Sequence, residues 1–93
     1  ADIQNLFTSV KTKHEWIVTA SKNNNNLQHY LAKLAINNSY AYNYSIHIDI
    51  NPNKNTFKVS SLFLKRTQNF KDKDNAYNFI TCLINLLDIA SNE

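Results

Sequence analysis

Three side chains within residues 45–49 have the residue types of a catalytic triad. Ser45, His47 and Asp49 alternate with apolar positions, so all three are predicted to lie on one face of a strand. Side chains two residues apart on a strand stand about 6.5 Å apart, whereas a triad needs its nucleophile and base at about 3 Å, together with an oxyanion hole. The spacing is therefore typical of a solvated strand face, and we predict that the chain is not an enzyme.

The sequence contains neither the ligand spacing of a metal site nor the glycine-rich loops of a nucleotide-binding site. His14, His29, His47 and Cys82 are scattered, and no two of them have the close spacing of paired ligands. Cys82 precedes Leu83 in an apolar run, where a buried and unreactive thiol is expected. The chain contains no glycine, which excludes the P-loop and the dinucleotide-binding fingerprint. We predict no catalytic residue, no metal site and no cofactor.

Basic residues concentrate in the second half of the chain. Positions 54–73 hold six basic residues against one aspartate, a net charge of +5, while the whole chain carries only +3. This asymmetry indicates a surface for phosphate, nucleic acid or another polyanion, although lysines that protect edge strands from aggregation produce the same pattern. The predicted anion-binding residues are Lys54, Lys58, Lys65, Arg66, Lys71 and Lys73.

Length and composition bound the class of protein. Ninety-three residues form one domain, which we divide into an N-terminal extension over 1–22 and a core over 26–90. The single cysteine excludes an internal disulfide and favours a reducing compartment. No apolar run approaches the ~18 residues of a transmembrane helix, and no signal-peptide pattern opens the chain. We therefore expect a soluble, intracellular protein of the cytoplasm or of an organelle interior, without a membrane span.

Apolar periodicity predicts the N-terminal elements that must position these residues. The i, i+3, i+4, i+7 spacing from Ile3 to Val10 predicts an amphipathic helix over 2–12. After a break near Lys13, the β-branched run "EWIVTA" predicts a short strand. One long helix that continues to position 21 is the alternative.

A second helix is predicted over 27–36. Leucine, tyrosine and alanine side chains recur at helical spacing from Leu27 onwards. Asn25 or Asn26 is suited to the N-cap of this helix, and the pair at 37–38 is suited to its C-terminus, where asparagine replaces glycine.

A β-hairpin follows the second helix. Residues 40–50 alternate apolar even positions with mostly polar odd ones, which predicts an antiparallel strand with one buried face. Residues 51–54 predict a type I turn with proline at its second position. The return strand begins at 57–59 and changes phase at 62–64, so we predict a bulge or a bend at 60–61.

The absence of glycine also affects the turns. A turn position with positive φ must then use asparagine or aspartate, at some steric cost. We predict this conformation at Asn37, Asn38, Asn53 or Asn55.

The C-terminal third completes the fold. Residues 65–70 predict a third short strand, after which Asp72 or Asp74 caps a helix with a broad apolar stripe. The stripe consists of Ala76, Phe79, Ile80, Leu83, Ile84 and Leu87. The sequence predicts an α+β fold, a two-layer sandwich in which a small antiparallel sheet has its helices packed on one face. Its core has the order helix, strand, strand, optional third strand, helix, preceded by the N-terminal helix.

Residues 26–87 resemble the double-stranded-RNA-binding domain, which runs helix, three strands, helix. The corresponding segments are "NLQHYLAKLA", "YNYSIHID", "NTFKVSSLF" and "KDKDNAYNFITCLINLL", with Ala76 at the family's alanine position. The resemblance implies that Lys71 and Lys73 grip phosphates across a groove of A-form RNA. It also implies that minor-groove hydroxyls are contacted by Asn53 and Lys54 of the hairpin turn and by Gln28 of the first helix. Such recognition reads RNA shape rather than sequence.

Two further families are similar over less of the chain. The segment "LFLKRTQNFKDKDNAYNFITCLINLLDIA" resembles the C-terminal regulatory domain of some protein kinases, with a basic strand, a loop and a long apolar helix. That resemblance implies binding to acidic lipid heads or to a kinase partner. The RWD domain has a similar helix–hairpin–helix order, and it implies binding to proteins alone.

These observations predict a non-catalytic binding module. Its predicted ligand is structured RNA or another polyanion, held by the basic residues together with Asn53 and Gln28. The alternative function is a protein–protein interaction or regulatory docking module without nucleic-acid binding. In that alternative, Tyr40, Tyr42 and Tyr44 present the aromatic anchors that interfaces favour, provided that the helices do not cover them.

Overall fold

The structure, a computed structural model, describes residues 2–23, 25–36 and 39–91; the side chains of residue 2 and of residues 39–43 lie outside this description. Two helices enclose a run of strands along the chain. The elements are α1 (Asp2–Ser9), β1 (Trp16–Lys22), β2 (Gln28–Ile36), β3 (Ser39–Asn51), β4 (Thr56–Ser60), β5 (Gln68–Phe70) and α2 (Lys73–Ser91).

Each strand pairs antiparallel with its neighbours in sequence, so the sheet has the order β1-β2-β3-β4-β5. One row of partners crosses all five strands: Lys22, Gln28, Ile50, Phe57 and Phe70. We call this side of the sheet the turn end, because the β3–β4 turn at 52–55 lies just beyond it. The opposite side, where Ser60 leads into residues 61–67, is the loop end.

A single hydrophobic cluster joins one face of the sheet to both helices. Its buried members are Ile3, Phe7, Trp16, Ala32, Leu34, Ile46, Ile48, Val59, Ile80, Leu83, Ile84 and Leu87. Because both described helices pack on this face, the other face carries neither of them, and we call it the open face. The α+β sandwich with its helices on one face of an antiparallel sheet is confirmed.

Two aspartates fix the ends of α2. The Asp72 carboxylate accepts a hydrogen bond from the backbone N–H of Asn75 at 3.3 Å, which confirms Asp72 as the predicted N-cap. Asp88, in the last turns of the helix, accepts hydrogen bonds from the backbone N–H groups of Lys13 and His14, the former at 3.1 Å to each carboxylate oxygen. These contacts place the C-terminal half of α2 beside the segment that enters β1, at the loop end of the sheet.

The largest error of the sequence prediction concerns residues 27–36, which form β2 rather than a helix. Their apolar residues fit helical spacing, yet Tyr30, Ala32, Leu34 and Ile36 fit strand alternation equally well. In the structure β2 lies between β1 and β3, which supply backbone partners on both sides. Tertiary pairing therefore overrides the helix propensity of leucine, alanine and lysine. No helix is present there for Asn25 or Asn26 to cap.

Other local predictions divide between confirmed and wrong. The break near Lys13 is confirmed by β1, and the third strand is confirmed by β5. The strand does not continue to 62–64, because β4 ends at Ser60 and turn residues follow. The register shift lies between Lys33 and Leu34 on β2 instead of at 60–61.

Positive φ angles occur among the described residues at Asn55 (53°), as predicted, and at Asn26 (63°), which the prediction missed. Asn53 does not adopt a positive φ, and the prediction for Asn37 and Asn38 falls outside the described residues. Asn51 closes the hairpin turn, since its side-chain oxygen accepts hydrogen bonds from the backbone N–H groups of Asn53 at 3.1 Å and Lys54 at 3.2 Å.

Candidate polyanion-binding surface

The antiparallel register brings most of the predicted binding residues to the turn end. Gln28 begins β2, Lys54 lies in the β3–β4 turn, and Lys71 follows β5, which returns to the same end. The residues gathered there are Gln28, Asn53, Lys54, Lys58, Lys71 and Lys73. All of them are exposed except Gln28, which is half-buried. We call this set the turn-end group.

The N-terminus of α2 lies within the turn-end group. Lys73 is the first residue of α2, and its ammonium lies 5.2 Å from the centre of the Tyr77 ring. A cleft of about 390 Å³ beside it has Gln28, Asn55 and Lys73 in its lining. The free N–H groups of a helix N-terminus carry partial positive charge, which adds to the attraction that the lysines exert on an anion.

Lys65 and Arg66 do not join this group. They lie in the β4–β5 loop at the loop end, with the length of β4 between them and Lys54. At a rise of about 3.3 Å per residue, the five residues of β4 alone span roughly 13 Å. The same loop exposes two large apolar side chains, Leu62 at 62% and Phe63 at 47%.

The open face carries a polar row next to the turn end. Five directly paired positions, one on each strand, are Ser21, His29, Asp49, Lys58 and Asn69. Nδ1 of His29 donates a hydrogen bond to the Asp49 carboxylate, and both side chains are about half exposed. A cleft of about 370 Å³, the open-face cleft, is lined by Leu27, His29, Asp49, Ile50, Asn51, Lys54, Thr56 and Lys58.

The structure does not assemble a catalytic triad from Ser45, His47 and Asp49. Ser45 is buried at 1% exposure, while Asp49 pairs with His29 of the neighbouring strand. Ser21 lies beside His29 in the register, but no hydrogen bond joins these two described side chains. Ser45 is therefore shielded from solvent, and the Asp49 carboxylate contacts the imidazole of His29 rather than that of His47.

Cysteine and histidine positions need one correction. Cys82 is exposed on α2, because it lies on the side of the helix away from the buried stripe, so the prediction of a buried thiol was wrong. Across residues 2–23, 25–36 and 39–91, no three histidine, cysteine or carboxylate side chains lie close enough together to hold a metal ion.

The tyrosines of β3 are only partly described. Tyr44 is half-buried, packs against the hydrophobic cluster and stacks on Phe63 with ring centres 5.6 Å apart. The side chains of Tyr40 and Tyr42 lie outside the described residues, so the predicted interaction through them stays a prediction.

Sequence reasoning missed two features of these surfaces. The His29–Asp49 pair depends on β2 being a strand, and the alternation of Tyr30, Ala32, Leu34 and Ile36 was the available signal. The exposure of Leu62 and Phe63 was hidden because these residues were assigned to a strand.

Comparisons with protein-family models, curated protein sequences and solved structures find no match for this chain. Neither described helix is long and apolar enough to cross a membrane.

Proposed function

We propose that this chain is a non-catalytic module that binds a polyanion, and that the polyanion is structured RNA held at the turn end. The observation that carries the proposal is the convergence of the turn-end group. The hairpin of β4 and β5 separates Lys54 from Lys71 and Lys73 along the chain. Because β5 runs antiparallel to β4, all three lysines lie at the same end of the sheet. Gln28 reaches this surface from the start of β2 rather than from a helix.

The charge of the surface predicts weak and salt-sensitive binding. Asp49, Asp72 and Asp74 lie near the lysines and reduce their net field, although Asp49 is paired with His29 and Asp72 caps α2. Neutralising three or four phosphates gives a slope of log K against log salt of about −3 to −4. The described open-face positions of β1–β5 hold no phenylalanine, tyrosine or tryptophan on which single-stranded bases could stack, which favours a duplex ligand.

The test is a titration of a short RNA duplex at two salt concentrations against three proteins. The first is the wild type, and the second is Lys54→Glu/Lys71→Glu at the turn end. The third, Lys65→Glu/Arg66→Glu at the loop end, is the matched control because it changes the net charge by the same amount. Lys73 is left unchanged because its contact with Tyr77 helps to order the start of α2.

We expect the turn-end variant to lose affinity by about tenfold or more and to show a slope reduced by about two, while the control keeps most of its affinity. The absence of binding by the wild type at low salt would rule out the proposed function. Equal losses in the two variants would show that only net charge matters, and would therefore contradict a site at the turn end.

A second candidate function, docking of another protein chain, is favoured by the exposed apolar residues at the loop end. Leu86 and Ile89 are 53% and 62% exposed on the C-terminal half of α2. Leu86 lies two turns after Phe79, which packs on Phe70 of β5, so it is on the β5 side of the helix, as is the loop with Leu62 and Phe63. Large exposed apolar side chains on one side of a small domain are typical of an interface.

The docking function is tested by co-purification under native conditions. A partner that is lost on Leu62→Ser/Phe63→Ser but kept by Lys54→Glu/Lys71→Glu is the expected result for docking at the loop end. Apolar contacts are not screened by ions, so the association should persist at high salt. A partner lost on the turn-end change instead would contradict docking at the loop end.

A further inference from the structure

We propose that the open-face cleft is a binding site for a phosphate monoester, and that His29, Lys54, Thr56 and Lys58 contact the phosphate. This inference rests on the proposed polyanion-binding function and names a group that the site recognises, the terminal phosphate of an RNA strand. The cleft adjoins the turn-end group, because Lys54 and Lys58 belong to both. The site therefore distinguishes the end of a strand from its interior.

The His29–Asp49 pair provides an oriented donor in this cleft. The Asp49 carboxylate accepts the hydrogen bond from Nδ1 of His29, which fixes the plane of the imidazole ring. Nε2, the other ring nitrogen, makes no hydrogen bond to the described residues. In the imidazolium form both ring nitrogens carry a proton, so Nε2 can donate a hydrogen bond to a phosphate oxygen while Nδ1 still donates to Asp49. Asp49 acts as a positioning residue, and the imidazolium form of His29 offsets the charge of its carboxylate.

Two ammonium groups supply charge that matches a phosphate monoester. Lys54 and Lys58 are exposed, and neither forms an ion pair with a carboxylate of the described residues. A phosphate monoester carries about −1.5 to −2 charges near pH 7, whereas each internal phosphodiester carries about −1. Two cations in one cleft favour the more highly charged group, and charge-assisted hydrogen bonds to its three free oxygens add directionality.

The shape of the cleft suits a terminal group. Its volume of about 370 Å³ lies at the small end of the range of ligand sites, roughly 300 to 1,000 Å³. The side chain of Thr56 lies on the same face as Lys58, and Leu27 adds an apolar edge against which a sugar can pack. The phosphate would enter from the solvated open face while the strand continues across the turn end.

The test uses the isotope-labelled full chain, first with inorganic phosphate and then with two RNA duplexes of identical sequence. One duplex carries a 5′-phosphate, and the other carries a 5′-hydroxyl. We expect inorganic phosphate to shift the backbone resonances of His29, Thr56 and Lys58, and we expect the phosphorylated duplex to bind about three to ten times more tightly. Lys58→Gln should remove this preference, whereas the equally exposed Lys65→Gln should keep it. Both variants are compared with the wild type by their spectra, which report folding.

The failure of this inference can be told apart from the failure of the proposed function. Equal affinity of the two duplexes, or phosphate-induced shifts that avoid the cleft, would overturn the monoester site while RNA binding stands. Phosphate binding at the cleft without binding of either duplex would support the site and overturn the RNA function. Loss of the preference in both glutamine variants would also count against the cleft, since it would show a general charge effect.

Discussion

The two faces of β3 carry side chains of opposite character at neighbouring positions. Ile46 and Ile48 have no exposure and lie under the helices, whereas His47 and Asp49 lie on the open face. The backbone of β3 forms hydrogen bonds with β2 and β4 in the plane of the sheet, so these bonds do not distinguish the two faces. The faces therefore differ in what their side chains do: one removes apolar surface from water, and the other presents polar groups to it.

This difference separates the residues that stabilise the fold from those available for binding. Burial of each isoleucine stabilises the fold by about 1.5–3 kcal/mol, while a half-exposed ion pair contributes about 0–1 kcal/mol. The exposed side chains of the open face can therefore change in sequence at little cost in stability. The proposed binding residues lie on the open face and at the turn end, and four sets of substitutions test how much each region contributes to stability.

The largest effect is expected for Ile48→Ala on the core face. Removal of a fully buried isoleucine side chain leaves a cavity in the hydrophobic cluster, at a cost of about 2–5 kcal/mol. Unfolding in denaturant measures the loss. The control is His47→Ala on the other face of the same strand, for which we expect a change within about 0.5 kcal/mol. A comparable loss in both variants would show that the open face is also covered.

An intermediate effect is expected at the N-cap of α2. Asp72→Ala removes the carboxylate that accepts the Asn75 N–H, and Asp72→Asn keeps an acceptor at the same place. The alanine variant should lose about 1 kcal/mol of folding free energy, and the asparagine variant should lose little of it. Thermal unfolding of the two variants provides the measurement. If both lose stability equally, the charge near the helix N-terminus matters rather than the hydrogen bond.

A smaller effect is expected at the hairpin turn. Asn55 has a φ of 53°, a left-handed conformation that costs residues with a Cβ atom roughly 1–2 kcal/mol relative to glycine. Asparagine already bears part of this cost, so alanine adds only the remainder. We expect Asn55→Ala to lower the stability slightly and Asn55→Gly to leave it unchanged or raise it. The reverse order of the two variants in denaturant unfolding would contradict a left-handed conformation at this position.

The smallest effect is expected for the His29–Asp49 pair. Both side chains are about half exposed, so a double-mutant cycle of His29→Gln and Asp49→Asn should give a coupling of a few tenths of a kcal/mol. The same two variants should weaken the binding of inorganic phosphate more than they weaken the fold. A coupling above about 2 kcal/mol would assign the pair to the fold and remove the distinction between the faces.

The spacing of apolar residues correctly predicted the elements whose sequence fits only one period, either that of a helix or that of a strand. The alternation over 40–50 and the stripe from Ala76 to Leu87 correspond to β3 and α2 as the structure has them. Both segments contain enough consecutive matches to one template that the competing period fits poorly. Asp72 was recognisable as a cap because an aspartate before an apolar stripe has a specific hydrogen-bonding role.

The identity of β2 could not be read from its residues. The run from Gln28 to Ile36 satisfies the helical and strand periods together, and its leucines and alanines favour a helix. Its conformation depends on β1 and β3, which flank it and satisfy its backbone groups. The exposure of the Cys82 thiol likewise depends on the orientation of α2, which places Ala76, Ile80, Leu83, Ile84 and Leu87 against the core and Cys82 outside it.

The sequence by itself determined the α+β class, the position of the basic residues along the chain and the face of β3 that would be buried, because these follow from composition and from periodicity within one segment. The tertiary structure decided which basic residues meet. Antiparallel register folds Lys54 and Lys71 to one end of the sheet and leaves Lys65 at the other, and it sets His29 beside Asp49. Contacts between residues distant in sequence depend on strand order and pairing, and these are set by the burial of the whole apolar face rather than by any one segment.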